Sequence, residues 1–166
     1  MRRFMVQQVL NRCFAGLLCI VVLLAIPGCS SSTEAPAFTL ENLTGKPVSL
    51  SDFIGKPLII NFWQLSCPPC IEELPYFQAV HERDDTGAAI LTVAIRDSEA
   101  VLNSFMASNT YSFTVLRDVN ASVAEKYGIR YTPTTVFIDS KGQIVKIKTG
   151  AFHSANELAQ AIGKID

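Results

Sequence analysis

The feature that most constrains the fold is a continuous, mainly apolar run from Leu58 to Trp63, followed closely by the sequence Cys67-Pro68-Pro69-Cys70. Runs of this kind, without regular polar alternation, predict a strand buried on both faces, as in a sheet covered by helices. A helix-like stretch extends from Cys67 to about Arg83, and a second apolar run spans Ala88 to Ile95. This alternation of strand and helix favours an α/β fold.

Further elements are predicted before and after this unit. Phe38–Leu43 and Val48–Leu50 flank a turn-rich segment, Thr44-Gly45-Lys46-Pro47, and predict an N-terminal β-hairpin. The later elements are helices at Glu99–Ser108 and Ala121–Tyr127, a strand at Thr134–Ile138, an edge strand at Gln143–Lys148, and a helix that opens with the capping-box pair Ser154 and Glu157 and ends near Ile165. The predicted order behind the hairpin is β-α-β-α-α-β-β-α.

Residues 1–28 have the composition of a signal peptide. Basic residues at the start precede an apolar run from Cys13 to Ile26, which is too short as a helix, at about 21 Å, to span a hydrocarbon core of about 30 Å. Ile26-Pro27-Gly28-Cys29 resembles a bacterial lipobox, and this resemblance implies that Cys29 is lipidated and becomes the N-terminus. Ordinary signal cleavage nearby and an uncleaved short anchor are the alternatives.

Residues 29–36 are predicted to be a flexible tether, because Ser30 to Pro36 has the composition of a spacer. The folded domain is therefore expected over residues 37–166. Removal of the leader takes away three of the 14 Lys and Arg residues and none of the 15 Asp and Glu residues, so the mature protein has a net charge near −4. This charge gives no basis for binding nucleic acid.

Cysteine usage favours chemistry over structural cross-linking. Cys13 and Cys19 leave with the leader and Cys29 is the predicted lipid site, so Cys67 and Cys70 remain as a pair. An exported protein permits a disulfide here, but the chain-entropy model gives so small a loop only about 2 kcal/mol of stabilisation. The pair is therefore predicted to be redox-active.

The position of the pair assigns the two thiols different roles. Cys67 lies where a strand ends and a helix begins, and there the free backbone N–H groups and the helix dipole favour a thiolate. Pro68 suits the first helical turn, and Cys70, one turn further on, is placed to resolve a mixed disulfide on Cys67. The alternatives are an inert bridge or half of a zinc site. Zinc is disfavoured because there is no second Cys-x-x-Cys and because His81 and His153 lack metal-ligand spacing. No metal and no cofactor beyond the dithiol is expected.

Four motifs together carry a family resemblance. They are Asn61-Phe62-Trp63, Cys67-Pro68-Pro69-Cys70, Glu72-Glu73-Leu74-Pro75 and Tyr131-Thr132-Pro133-Thr134, with further matches within residues 38–57. With them the chain resembles the thioredoxin superfamily, and more narrowly the TlpA/ResA group, from about Ala37 to its C-terminus. The resemblance implies a thioredoxin-like fold, in which helices flank a central mixed sheet that carries an N-terminal hairpin extension.

The resemblance also implies roles for single residues. Pro133 is expected to be a cis-proline facing the cysteines, while Thr132 offers backbone groups to an extended substrate. Trp63 is expected to pack beside the cysteines. Trp63, Pro68 and Pro69 are expected to contribute to substrate contact.

Glu73 shares a helix face with the cysteines, and the family assigns a glutamate there to proton handling; a solvated surface glutamate is the alternative. Pro75 is expected to kink the helix. Asn61 stands where cytoplasmic thioredoxins carry a buried acid, and Ser66 stands where the family usually carries a second tryptophan. An amide at Asn61 cannot transfer a proton, which makes Glu73 more important, and Ser66 is expected to change the contact with substrate.

The function implied by the resemblance is reduction of disulfides in exported proteins, such as apocytochromes awaiting haem. A membrane thiol donor is expected to supply the electrons, and the protein is expected to be a lipid-anchored, extracytoplasmic monomer. A disulfide-forming oxidant of the same fold is an alternative, since Cys-x-x-Cys proteins range from about −270 to −120 mV. A thiol peroxidase of the peroxiredoxin type is disfavoured, because Gln64 replaces the threonine three residues before the reactive cysteine. A Sco-type copper carrier requires one more residue between its cysteines.

Overall fold

The computed structural model describes residues 33–83 and 85–165. The predicted signal peptide, residues 1–28, and the predicted lipid site at Cys29 lie outside these residues. Within the part that is described, no helix has the length and apolar character needed to cross a membrane.

The described chain folds into one sheet with helices on both sides. Its strands are β1 Thr33–Glu34, β2 Thr39–Asn42, β3 Pro47–Ser49, β4 Leu58–Trp63, β5 Ala89–Ile95, β6 Thr114–Asp118, β7 Thr134–Ile138 and β8 Gln143–Thr149. Its helices are α1 Pro68–Arg83, α2 Glu99–Asn109, α3 Ser122–Lys126 and α4 Ala155–Ile162, with a 3₁₀ turn at Leu50–Phe53.

The sheet is mixed, with the strand order β1-β8-β7-β4-β5-β6-β2-β3. β4 lies near its centre, parallel to β5 and antiparallel to β7, and Ile60 pairs with Leu91 on one side and Val136 on the other. β5 and β6 are also parallel, so the carboxyl ends of β4, β5 and β6 lie at the same edge of the sheet. This architecture confirms the predicted α/β, thioredoxin-like fold class.

Alternate residues of β4 enter two separate cores. Ile59 and Trp63 pack into a cluster that contains apolar side chains of α1, α2 and α4. Leu58, Ile60 and Phe62 pack on the opposite face, against α3 and the N-terminal segment. Because all six residues of β4 are buried, its continuous apolar sequence follows from cover on both faces.

The predicted order of elements is wrong at one place, because β6 is a strand between α2 and α3. The sequence Thr114-Val115-Leu116-Arg117-Asp118 has only two apolar residues, enclosed by polar ones, and so it lacks the apolar run that marks β4 and β5. It is nevertheless central, since β5 pairs with it on one side and β2 on the other. The predicted hairpin, β2 with β3, thus extends the main sheet through β6.

The predicted tether is wrong for its last four residues. Thr33 and Glu34 pair antiparallel with Ile144 and Gln143, so β1 covers the start of β8, which was expected to be an open edge. Ala35 is buried, and its N–H donates to the carbonyl of Gly142 at 2.9 Å. The ordered domain therefore includes residues 33–36, whose small and polar side chains hide their backbone pairing from sequence analysis.

Candidate active site

The cysteine pair lies at the junction of β4 and α1, as predicted. Cys67 directly precedes the helix, and its carbonyl accepts the N–H groups of Cys70 at 3.0 Å and Ile71 at 3.2 Å. Pro68 is the first helical residue, where the missing N–H removes no helical hydrogen bond. The two sulfur atoms form a disulfide, with the Cα atoms 5.3 Å apart. The structure is thus the oxidised form of the pair.

The two cysteines differ in accessibility. Cys70 is completely buried in the core beneath α1, whereas Cys67 is only partly buried and lies at the margin of that core. A partner arriving from solvent can therefore reach the sulfur of Cys67 and not that of Cys70. This asymmetry matches the predicted division into an attacking and a resolving thiol.

The segment before β7 faces the disulfide. The Thr132–Pro133 peptide bond is cis, as the resemblance implied, and the carbonyl oxygen of Thr132 lies 3.5 Å from the sulfur of Cys67. Two further hydrogen bonds hold this segment: the Gly150 N–H donates to the Pro133 carbonyl at 2.8 Å, and the Thr134 hydroxyl donates to the Tyr131 carbonyl at 2.8 Å. Thr132 and Pro133 therefore border the reactive sulfur on a fixed backbone.

Glu73 is fully buried beneath α1, so the alternative of a solvated surface glutamate is wrong. One carboxylate oxygen accepts the side-chain N–H of Asn61 at 2.8 Å, and the other accepts the backbone N–H of Phe152 at 2.8 Å. Asn61 also donates to the Thr135 hydroxyl at 3.1 Å. Glu73 thus joins the cysteine-bearing helix to β4 and to the segment before α4.

Burial raises the pKa of the Glu73 carboxyl above its ordinary value, because the charged form is removed from water. The hydrogen bonds from Phe152 and Asn61 and the charge of Lys148 act in the opposite direction, and the charge of Glu157 raises the pKa further. The net effect is a raised pKa, so this group holds its proton to higher pH than an exposed glutamate does. That behaviour suits a group that exchanges protons near a thiol.

The structure separates the three residues that were predicted to contact substrate, Trp63, Pro68 and Pro69. Trp63 is completely buried and packs against Phe105 at 5.8 Å between ring centroids, so the prediction that it contacts substrate is wrong. It belongs to the same core cluster as Cys70, which confirms the predicted packing beside the cysteines. Pro68 and Pro69 are exposed beside Cys67, where a substrate can reach them.

Asp97 is a site residue that sequence reasoning missed. Its carboxylate accepts the backbone N–H of Leu65 at 2.9 Å and so fixes the loop between β4 and Cys67. A second hydrogen bond fixes the same loop: the side-chain N–H of Gln64 donates to the carbonyl of Ile95 at 3.4 Å. The hydrogen bond between Leu65 and Asp97 joins the loop that follows β4 to the loop that follows β5. These two loops meet because β4 and β5 are parallel, which the sequence around Cys67 does not reveal.

Comparisons with known proteins agree with this geometry. The AhpC/TSA family matches residues 32–147. The thiol-disulfide oxidoreductase ResA of Bacillus subtilis is 35% identical over 122 residues, which cover 73% of this chain and 68% of that protein. ResA of Halalkalibacterium halodurans is 36% identical over 118 residues, covering 70% and 67% of the two chains.

Solved structures show the same fold. StoA from Bacillus subtilis matches with a TM-score of 0.68 and 27% identity, covering 76% of this chain and 96% of its own. The pneumococcal exposed lipoprotein thioredoxin Etrx1 from Streptococcus pneumoniae matches with a TM-score of 0.68 and 30% identity, covering 76% and 98%. A putative thioredoxin from Neisseria meningitidis matches with a TM-score of 0.70 and 34% identity, covering 81% and 91%.

Proposed function

Because the chain belongs to the AhpC/TSA family and, within the thioredoxin superfamily, to the thiol–disulfide oxidoreductases of the ResA type, we propose that it reduces disulfide bonds of exported proteins outside the cytoplasm. Apocytochromes c awaiting haem attachment are the proposed substrates. The observation that carries the proposal is the unequal exposure of Cys67 and Cys70 at the start of α1, beside the cis-proline segment.

The reaction is a two-electron exchange. The thiolate of reduced Cys67 attacks one sulfur of the substrate disulfide, forming a mixed disulfide and releasing the other substrate sulfur as a thiolate that takes up a proton. The thiolate of Cys70 then attacks the sulfur of Cys67, forming the Cys67–Cys70 disulfide and expelling the second substrate thiolate. The substrate gains two electrons and two protons, and the protein loses them.

Glu73 is proposed to carry a proton during the second step. Cys70 must lose its proton before it attacks, and it is buried away from water. Glu73 is one helical turn further along α1 and has a raised pKa, and Asn61, which donates to it, cannot itself accept the proton. The hydrogen bonds from Asn61 and Phe152 hold the deprotonated carboxylate in place until it accepts this proton.

The proposed setting of the reaction is supported by the signal-peptide composition of residues 1–28, by the lipobox-like sequence before Cys29 and by the resemblance to the ResA group. The protein is proposed to be exported and attached to a membrane by lipid at Cys29, to act as a monomer, and to receive electrons from a membrane protein of the thiol type. No metal or organic cofactor is required, because the dithiol supplies both electrons, and no nucleic acid partner is proposed.

The proposal is tested by trapping. In a Cys70→Ser variant the resolving thiol is missing, so exported proteins should accumulate as mixed disulfides on Cys67 and be released by a reductant. The matched Cys67→Ser variant retains a buried cysteine and should capture nothing. Equal capture by the two variants, or none by Cys70→Ser, would contradict the proposed mechanism.

The direction of electron flow is tested by equilibrium with glutathione. A reductant is expected to have a potential near that of thioredoxin, about −270 mV. A value near −120 mV would instead identify a disulfide-forming oxidant.

Thiol peroxidase is the second candidate, because the AhpC/TSA family matches most of the chain. Gln64 occupies the position of the peroxiredoxin threonine, and its side chain is directed to the carbonyl of Ile95. Rapid turnover of hydrogen peroxide that disappears in Cys67→Ser would support this activity; reduction of peroxide no faster than by a free thiol would exclude it.

A further inference from the structure

A groove of about 240 Å³ lies directly beside the cis-proline segment. Its walls come from the loops that follow β4 and β5, from α3 and from the residues that precede Pro133. The residues that line it include Gln64, Arg96, Glu125, Arg130, Tyr131 and Thr132. We call this feature the arginine groove.

Two residues that line the arginine groove are in contact with Cys67. Thr132, which lines it, has its carbonyl oxygen 3.5 Å from the sulfur of Cys67. Gln64, which also lines it, accepts the backbone N–H of Cys67 at 3.2 Å through its backbone carbonyl. A polypeptide whose disulfide reaches Cys67 has this groove within reach of the residues next to that disulfide.

The groove carries a positive charge on a protein whose predicted mature charge is negative. Arg96 and Arg130 are both exposed in its lining, and Glu125 is the acidic residue beside them. Ion pairs in residues 33–83 and 85–165 involve Arg117 and Lys148, and neither groove arginine takes part in one. Both guanidinium groups are therefore available to a carboxylate from outside.

The backbone beneath the groove is held in an unfavourable conformation. Arg96 has φ of 63° and Ala121, on the adjacent wall, has φ of 59°, values that L-residues with a side chain rarely adopt. The N–H groups of both residues donate to the carbonyl of Asp118 at 3.1 Å. One acceptor thus fixes two strained residues, and backbone strain of this kind is concentrated at functional sites.

An aromatic side chain adds a second kind of contact. Tyr131 is 72% exposed, the highest value among the exposed large apolar side chains of the described residues. Its backbone carbonyl accepts the Thr134 hydroxyl at 2.8 Å, so the backbone that carries the ring is fixed. An exposed ring on a rigid backbone gives contact area at low cost in conformational entropy.

We propose that the arginine groove binds the segment next to the substrate disulfide and selects substrates that carry an Asp or Glu side chain there, with Tyr131 packing on the same segment. This specificity rests on the proposed reductase function. Arg96 and Arg130 are specificity residues in this scheme, since they contact the substrate away from the sulfur atoms that react.

The test uses three peptides that share one intramolecular disulfide and differ only in carrying Glu, Gln or Lys on both sides of the first cysteine. Each is mixed with the reduced mature protein, and the rate of the protein's oxidation is measured. Dividing by the rate at which dithiothreitol reduces the same peptide removes differences in the peptide's own reactivity. We expect the normalised rate to be highest for the Glu peptide, intermediate for the Gln peptide and lowest for the Lys peptide. The ratio of the Glu rate to the Lys rate should fall as salt is added.

Substitutions then locate the preference. Arg96→Gln and Arg130→Gln should each lower the rate for the Glu peptide by up to about fivefold, the size of an exposed charge pair, and leave the Gln peptide nearly unchanged. Glu125→Gln should act in the opposite sense and raise the rate for the Glu peptide. Arg83→Gln is the control. It removes the same charge at the far end of α1, about 22 Å from the helix start that adjoins Cys67, and should have no effect on these rates.

Binding of peptides with serine in place of cysteine separates this inference from the reductase function. If the protein reduces none of the peptides but binds the serine-containing Glu peptide more tightly than the Lys peptide, the reductase proposal fails and the groove proposal stands. Equal normalised rates for the three peptides, or a preference that survives in the Arg96→Gln, Arg130→Gln double variant, would overturn the groove proposal.

Discussion

At the scale of single residues, the site contains a carboxyl group that the fold keeps out of water. Glu73 accepts hydrogen bonds from Asn61 and Phe152, and it has no exposed surface. The hydrogen bonds stabilise the charged form, and burial opposes it. Because burial is the largest of these effects, the native protein favours protonated Glu73 more than the unfolded chain does.

This balance predicts a pH-dependent stability that Glu73→Gln should remove. With a native pKa above the unfolded value, Glu73 contributes stability that is fully present below about pH 4.5 and is lost as the pH rises through the native pKa. The variant should therefore gain stability relative to the wild type as the pH rises, measured by urea denaturation at several pH values. Glu72→Gln, a change at the exposed neighbouring residue, is the control. Parallel curves for wild type and Glu73→Gln would contradict the assignment.

The residues of the site were predictable to the extent that they lie within motifs. Cys67, Cys70 and Pro133 are marked by short sequence patterns with a direct chemical meaning. The partners of Glu73 are not, because Phe152 lies 79 residues away and is brought to it only by the packing of the chain after β8 against α1. The packing of Trp63 beside the cysteines was predicted, but its complete burial was not, since a tryptophan at this position could also present one face to a substrate.

At the scale of elements, α3 depends on the strand that sequence analysis failed to detect. Asp118, the last residue of β6, is buried, and its carboxylate accepts the backbone N–H groups of Val123 at 3.1 Å and Ala124 at 2.8 Å. These are free N–H groups at the start of a five-residue helix. β6 was missed because a polar residue such as Asp118 is more typical of a loop than of a buried strand. In the structure Asp118 is buried because its carboxylate caps the next helix.

We expect Asp118→Ala to lower the free energy of unfolding by about 1–3 kcal/mol, since two buried N–H groups lose their acceptor. Asp118→Asn keeps one acceptor oxygen and should lose less. Urea denaturation measures both, and Asn120→Ala at an exposed position should change the stability by less than about 0.5 kcal/mol. If Asp118→Ala unfolds at the same urea concentration as Asn120→Ala, the side chain does not have this role.

At the scale of the whole molecule, both edges of the sheet are extended by the N-terminal part of the chain. β1 pairs with the start of β8 on one side, and the hairpin pairs with β6 on the other. Sequence patterns identified the central strands, because these are apolar on both faces. They placed the domain boundary four residues too late, because a short strand that pairs mainly through its backbone carries no apolar pattern.

Removing β1 should therefore weaken the fold. A mature chain that begins at Ala37 lacks the pairing of Thr33 and Glu34 and the buried Ala35 with its hydrogen bond to Gly142. We expect it to unfold about 1–3 kcal/mol more easily than a chain that begins at Thr33, by analogy with the loss of one or two buried hydrogen bonds. Denaturation of the two chains in urea makes the comparison, and coincident transitions would show that β1 adds nothing.

The burial of Cys70 also sets the stoichiometry of the protein's encounters. A molecule with two accessible thiols could form mixed disulfides with two partners at once. Here a single sulfur faces outward, so each molecule engages one partner at a time. The thiol that resolves the mixed disulfide lies inside the fold, where no competing partner in solution can reach it.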